Sequence, residues 1–186
     1  MWHVFRCALF ALALLVGPAA HAAGDTTKAE LDGLFQLLAK AGDATQAEAA
    51  EAQIWEHWLH SGSPSADLLL MRGIEALARG EYATSEQLLS TVIALSPDFA
   101  EAWNKRATLY YLQGKYDLSL LDIEHTLALE PRHFGALMGL GRILEEYRQP
   151  EKALDAFERA KAIHPFLGEV DAEITRLKNA LSGKRI

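Results

Sequence analysis

The groups best suited to chemistry in this 186-residue chain are its seven histidines and 25 acidic residues. His57 and His60 stand three apart on one helical face with Glu56 beside them. Such a pair suits two ligands of a metal ion, but no third ligand is evident and the HExxH pattern is absent. His125, His133 and His164 fall near the ends of repeated segments and read as surface residues. Carboxylates such as Glu81, Glu86, Glu145 and Glu146 fall on faces expected to be solvated. No nucleophile elbow, phosphate-binding loop or dinucleotide fingerprint is present in the sequence. The expectation is therefore a non-catalytic protein with no metal and no cofactor. A hydrolase or metal protein without a known signature is the third alternative.

The elements that carry these residues must be helical. Ala and Leu number 31 and 30, while Val and Ile together number 12. Ala and Leu favour helices and β-branched residues favour strands. The formal charge of −7 argues against nucleic acid and anionic membrane surfaces as partners. The single cysteine, Cys7, allows no intramolecular disulfide.

Residues 1–22 differ from the rest. Arg6 supplies a positive start, Cys7 to Val16 is an apolar run, Gly17-Pro18 breaks it, and Ala20-His21-Ala22 fits a small-x-small cleavage site. This order of parts is that of a secretory signal peptide. The apolar run is shorter than the ~20 residues that span a bilayer; an uncleaved anchor is the alternative. Cleavage after Ala22 would remove Arg6 and no acid, leaving a cysteine-free chain of net charge −8. The expected location is exported, in the periplasm if the source is Gram-negative.

From residue 66 onward the chain repeats. Pro97, Pro131 and Pro165 stand 34 residues apart, as do Gly73, Ala107 and Gly141, and Leu89, Ile123 and Phe157. Three units follow: 66–99, 100–133 and 134–167. Each reads as two helices, with Gly80, Gly114 and Arg148-Gln149-Pro150 at the turns and a proline at the end. Small residues let the two helices approach, and Trp103, Tyr110 and Phe157 fill the space beside them.

These residues resemble the tetratricopeptide repeat, whose pattern is W-x2-L-G-x2-Y, then small, aromatic, small and proline. The second unit reads Trp103-x2-Arg106-Ala107-x2-Tyr110, then Ser119, Ile123, Thr126 and Pro131. The third reads Leu137-x2-Leu140-Gly141-x2-Leu144, then Ala153, Phe157, Ala160 and Pro165. The resemblance implies an all-α, right-handed solenoid of three helix-turn-helix repeats. Arg72 and Arg106 depart from the usual leucine; their stems are expected to pack while their heads reach water.

Residues 23–65 form an N-terminal helical pair outside the repeat pattern, and residues 168–186 a capping helix with a basic tail. Repeat arrays need atypical ends, so the pair is read as a cap with Trp55 and Trp58 packing on the first repeat. An exposed partner site at these tryptophans is the alternative.

The resemblance further implies a concave face lined by the first helix of each unit. Its positions here are Leu70, Ile74 and Leu77, then Asn104, Thr108 and Tyr111, then Met138, Arg142 and Glu145. They imply a protein or peptide partner, extended or helical. Alternatively the N-terminal pair covers Leu70 and Ile74. The carboxylate clamp of chaperone-binding members is missing: Leu70, Ile74, Gly135 and Gly139 stand at its places, and only Lys105 is basic. The expected function is an exported interaction module or assembly scaffold. A structural subunit that oligomerises through its end caps is the second alternative.

Overall fold

The computed structural model of the protein describes residues 19–183. Most of the expected signal segment, residues 1–22, and the last three residues of the basic tail lie outside them. Nine helices and no strand occur among the described residues: α1 (Ala19–Ala39), α2 (Ala44–Trp58), α3 (Pro64–Ala78), α4 (Tyr82–Leu95), α5 (Ala100–Leu112), α6 (Tyr116–Leu129), α7 (Phe134–Glu146), α8 (Pro150–Ile163) and α9 (Gly168–Gly183). Asp43 accepts the Gln46 amide at 2.9 Å and caps α2. Pro64 and Pro150 begin α3 and α8, where a missing N–H is harmless.

Helices α3–α4, α5–α6 and α7–α8 are the three pairs, and each pair stacks on the next. The contact inside a pair rests on the small residues at period 34. The Ser85 hydroxyl donates to the Gly73 carbonyl at 2.8 Å, and Ser119 donates to the Ala107 carbonyl at 2.7 Å. In the third pair Ala153 replaces the serine and the ring of Phe157 fills the contact: a Cβ on Gly141 would lie 2.6 Å from it. Gly80 and Gly114 turn between helices with φ of 73° and 69°. At the same register position Arg148 adopts φ 55°, a left-handed conformation that disfavours a side chain.

The same register explains how pairs stack. Ala102 is fully buried among residues of α4 and Leu109 is fully buried too, and Ala136 and Ile143 are buried at the same positions one unit later. Val170 and Leu177 on α9 repeat these positions and are buried against α8. Thus α9 takes the register of the first helix of a further unit, and its Asp171, Thr175 and Lys178 face solvent.

Two expectations are corrected by packing. The Arg106 guanidinium does not reach into water: it makes a two-pronged pair with Asp122 at 2.7 and 2.8 Å and donates to Ser90 Oγ at 3.0 Å. The two Asp122 oxygens match the guanidinium fork, which favours this pairing over hydration. The N-terminal pair does not cap the first repeat with its tryptophans. Trp58 lies against His133 and Phe134 at the start of the third repeat, and Trp55 packs against the same two rings. Leu31, Phe35, Leu38, Ile54 and Trp58 thereby share one core with Phe134, Leu137 and Met138. Only Leu59, just after α2, packs with the first-repeat cluster.

Candidate peptide-binding groove

The first helices α3, α5 and α7 neighbour one another along the concave side. Between α5 and α7 lies a cavity of about 240 Å³. Asn104, Thr108 and Tyr111 reach it from α5, spaced at one helical turn, and Met138 and Arg142 reach it from α7. Its apolar floor includes Ala107, Ile123 and Ile143. Glu51 and Trp55 of α2 form one wall, and Leu167 and Glu169 stand at the other side.

The remaining groove candidates are elsewhere. Leu70 is fully buried with Ala66, Leu89 and Val92, and Ile74 packs half-buried on that cluster. Leu77 is half-buried. The apolar end expected of the groove is therefore part of the first-repeat core. Glu145 lies past the cavity and pairs with Arg176 of α9. Five of the nine residues come together, and four do not.

The charged groups around the cavity are paired. Glu101, wholly buried, accepts from Asn104 Nδ2 at 2.9 Å and lies 2.7 Å from Lys105 Nζ. His133, also wholly buried, lies 2.9 Å from Glu101 with its Nε2, while its Nδ1 accepts the Ala136 amide and caps α7. An accepting Nδ1 assigns the hydrogen to Nε2, so this neutral imidazole donates to the carboxylate. Burial alone would push the Glu101 carboxyl up. The hydrogen bond from His133 and the charge of Lys105 outweigh it and hold the group below the ordinary carboxylate range. Arg142 pairs with Glu169 at 3.3 Å, and Glu51 lies 3.1 Å from His164.

The histidines at unit ends were expected at the surface. Only His125 is exposed, stacked on Trp103 at 4.1 Å. His133 and His164 are buried because the N-terminal pair covers them: Trp58 on the first, Glu51 on the second. His57 and His60 remain on one side of α2 and its end, with His60 Nδ1 3.3 Å from Asp67. No cluster of three metal-binding side chains occurs among the described residues.

Sequence reasoning missed Glu101, His133 and Gly135. A signal for the last was present. Asp67, Glu101 and Gly135 share one register position, and the bare glycine marks an approach by another group. A Cβ there would lie 2.9 Å from the Trp55 ring.

The sequence profile of the tetratricopeptide repeat matches residues 70–125 and 113–167, spanning all three helix pairs. The chain belongs to the tetratricopeptide repeat family. It is 37% identical over 163 residues to a TPR repeat-containing protein of Rhizobium etli, covering 88% of this chain and 80% of that protein. The first TPR domain of Spaghetti, solved bound to an HSP90 peptide, matches 63% of this chain and 93% of its own length, with a TM-score of 0.60 and 20% identity. The type III secretion chaperone SycD of Yersinia enterocolitica, in complex with a peptide of the translocator YopD, matches 67% of this chain and 97% of its own, with a TM-score of 0.60 and 12% identity. At those identities the two structures share the fold of this TPR chain. The fold is one for binding proteins, and in this TPR chain side chains from α2, α5, α6, α7 and α9 meet at the concave cavity.

Proposed function

We propose that the protein is an exported, non-catalytic interaction module of the bacterial cell envelope that holds a partner's peptide or helix on the concave face of its second and third repeats. The observation that carries this reading is the cavity shared by Asn104, Thr108, Tyr111, Met138 and Arg142. The two peptide-bound TPR structures support a peptide as occupant. The clamp for a chaperone's terminal carboxylate is lacking in this chain, so the partner differs from the HSP90 peptide held by Spaghetti. The export half of the reading rests on the sequence of residues 1–22.

Asn104 is a poor probe of binding, because its amide is held by buried Glu101. Tyr111→Ala with Arg142→Ala is the better test. In-cell crosslinking in the envelope fraction should lose a specific partner in this variant while helicity is kept. An unchanged crosslinking pattern would remove the groove from the mechanism. N-terminal sequencing of the accumulated protein should begin at Ala23; a start at Met1 in the membrane fraction would replace export by anchoring.

One observation favours the second reading, a subunit that oligomerises through an end. Leu68 and Met71 on α3 are 54% and 45% exposed, and Leu68 stands in register with buried Ala102 and Ala136. With the N-terminal tryptophans on the third repeat, this end of the array is uncovered among the described residues, whereas α9 turns a polar face outward. Light scattering of the wild type against Leu68→Glu/Met71→Glu tests it: a dimer that becomes a monomer supports the reading, and a monomer in both removes it.

A further inference from the structure

The cavity is closed along one side by α2, and this limits what it can take. In an open array an extended peptide runs the length of the concave face. Here Trp55 lies across the groove beside Gly135, with Lys105 Nζ 5.1 Å from the centre of its ring. The seat of Trp55 and Trp58 is built from buried groups of the third repeat, so this wall is part of the core. What remains is a blind pocket of about 240 Å³, larger than the ~150 Å³ cavity that holds a benzene ring in another protein.

The lining indicates the chemistry of the occupant. Ala107, Ile123, Met138 and Ile143 offer apolar surface, and Tyr111 stands with Trp55 as a second ring at the cavity. The ionised groups around it already have opposite charges or hydrogen-bond partners: Lys105 with Glu101, Arg142 with Glu169, Glu51 with His164. Lys105 could meet an entering carboxylate only by leaving wholly buried Glu101, which is strongly unfavourable, whereas the half-exposed pair of Arg142 with Glu169 yields at little cost. A neutral ring loses no such partner and gains contact with the apolar lining.

On the groove reading above, we infer that this site recognises one neutral aromatic side chain of the partner, inserted from the Tyr111 side into a pocket that α2 closes. The partner segment is anchored by that ring and leaves the groove on the open side; it does not thread past Trp55.

The test uses the purified protein and three probes followed by methyl NMR at Met138 and Ala107. N-acetyl-phenylalaninamide is neutral and aromatic, N-acetyl-phenylalanine adds a carboxylate, and N-acetylglycinamide lacks the ring. The first should shift both methyls at millimolar concentration, the second no more tightly, and the third not at all. Gly139→Leu, which grows a side chain from the pocket lining, should weaken the first probe at least tenfold with the helical spectrum unchanged. Thr108→Phe fills the same space from α5 and replaces it if Gly139→Leu does not fold. No methyl shift by the aromatic amide, tenfold tighter binding of the carboxylate, or binding indifferent to both fillers would each overturn the pocket. Peptides selected from a random library separate the two levels. Binders lost on Tyr111→Ala/Arg142→Ala but indifferent to the filled pocket would keep the groove and remove the aromatic anchor. Binders indifferent to both would remove the groove itself.

Discussion

Trp58 lies flat on His133, with ring centres 4.0 Å apart and planes 6° from parallel. The two residues belong to different parts of the sequence, the N-terminal pair and the end of the second repeat. His133 meanwhile caps α7 with one ring nitrogen and donates to buried Glu101 with the other. One imidazole therefore ties α2, α5 and α7 together, and the concave cavity lies beside it.

His133→Ala removes a cap, a buried hydrogen bond and the ring beneath Trp58. The hydrogen bond to the buried carboxylate is worth about 1.5–3 kcal/mol, the cap about 1 kcal/mol and the stacked ring about 1 kcal/mol, together about 3–5 kcal/mol, while Lys105 and Asn104 still hold Glu101. Urea unfolding should show a loss in that range, about 3–5 kcal/mol, with Trp fluorescence shifted towards the exposed value. A loss below ~1 kcal/mol would mean that His133 does not organise this region.

The pH dependence follows from Glu101. Its folded-state pKa is depressed, so its stabilisation is complete above the unfolded value of about 4.3 and is lost as pH falls through the folded value. The urea midpoint of the wild type should fall as pH drops below about 4.5. Glu101→Gln, less stable at pH 7, should show a shallower fall over the same range. Parallel curves for the two proteins would show that Glu101 does not carry the acid limb.

Two tryptophans should differ in energetic weight. Trp58 is 6% exposed in the shared core, whereas Trp103, despite its place in the repeat pattern, is half-buried and bonds the Pro97 carbonyl with its indole N–H at 2.9 Å. Trp58→Ala should cost about 3–5 kcal/mol, as for a buried aromatic, and Trp103→Ala about 1–3 kcal/mol. Chemical denaturation of both variants checks the order, and a reversed order would contradict the docking of α2.

Two glycines of α7, Gly139 at the cavity and Gly141 at the pair contact, should respond oppositely. Gly141→Ala drives a Cβ into the Phe157 ring, and overpacking of this kind costs about 1–3 kcal/mol. Gly139→Ala meets only Ile123, at 3.4 Å, and should be neutral or gain up to ~1 kcal/mol from helix propensity. Thermal melts of the two variants would settle the comparison.

Arg148 holds the left-handed turn that Gly80 and Gly114 hold in the other repeats. Relief of that strain in Arg148→Gly is worth about 1–2 kcal/mol, partly offset by the greater freedom of glycine in the unfolded chain. A net gain of about 0.5–1 kcal/mol is expected, and a net loss would mean that the arginine side chain makes a contact worth more than the strain.

The sequence by itself determined the array. Its helix pairs, their turns, and Gly73, Ala107 and Gly141 at the close contacts were legible from composition and a 34-residue spacing, and a last helix within 168–186 from its apolar spacing. The reason is physical: each repeat packs only on its neighbours, so every contact recurs at a fixed offset and announces itself as a period. That Asn104, Thr108, Tyr111, Met138 and Arg142 share one side of the array follows from the same period. The tertiary structure alone decided where the N-terminal pair docks. Its apolar face has no period, and both the open end at Leu68 and the start of α7 offered it apolar surface. The third repeat won because Gly135 leaves room for Trp55, His133 offers a flat ring to Trp58, and Arg132 and His164 pair with Asp32 and Glu51. Those complementary groups stand far apart in the chain and become neighbours only when the helices stack. That choice buried His133 and His164 and brought Glu51 and Trp55 of α2 to the cavity between α5 and α7.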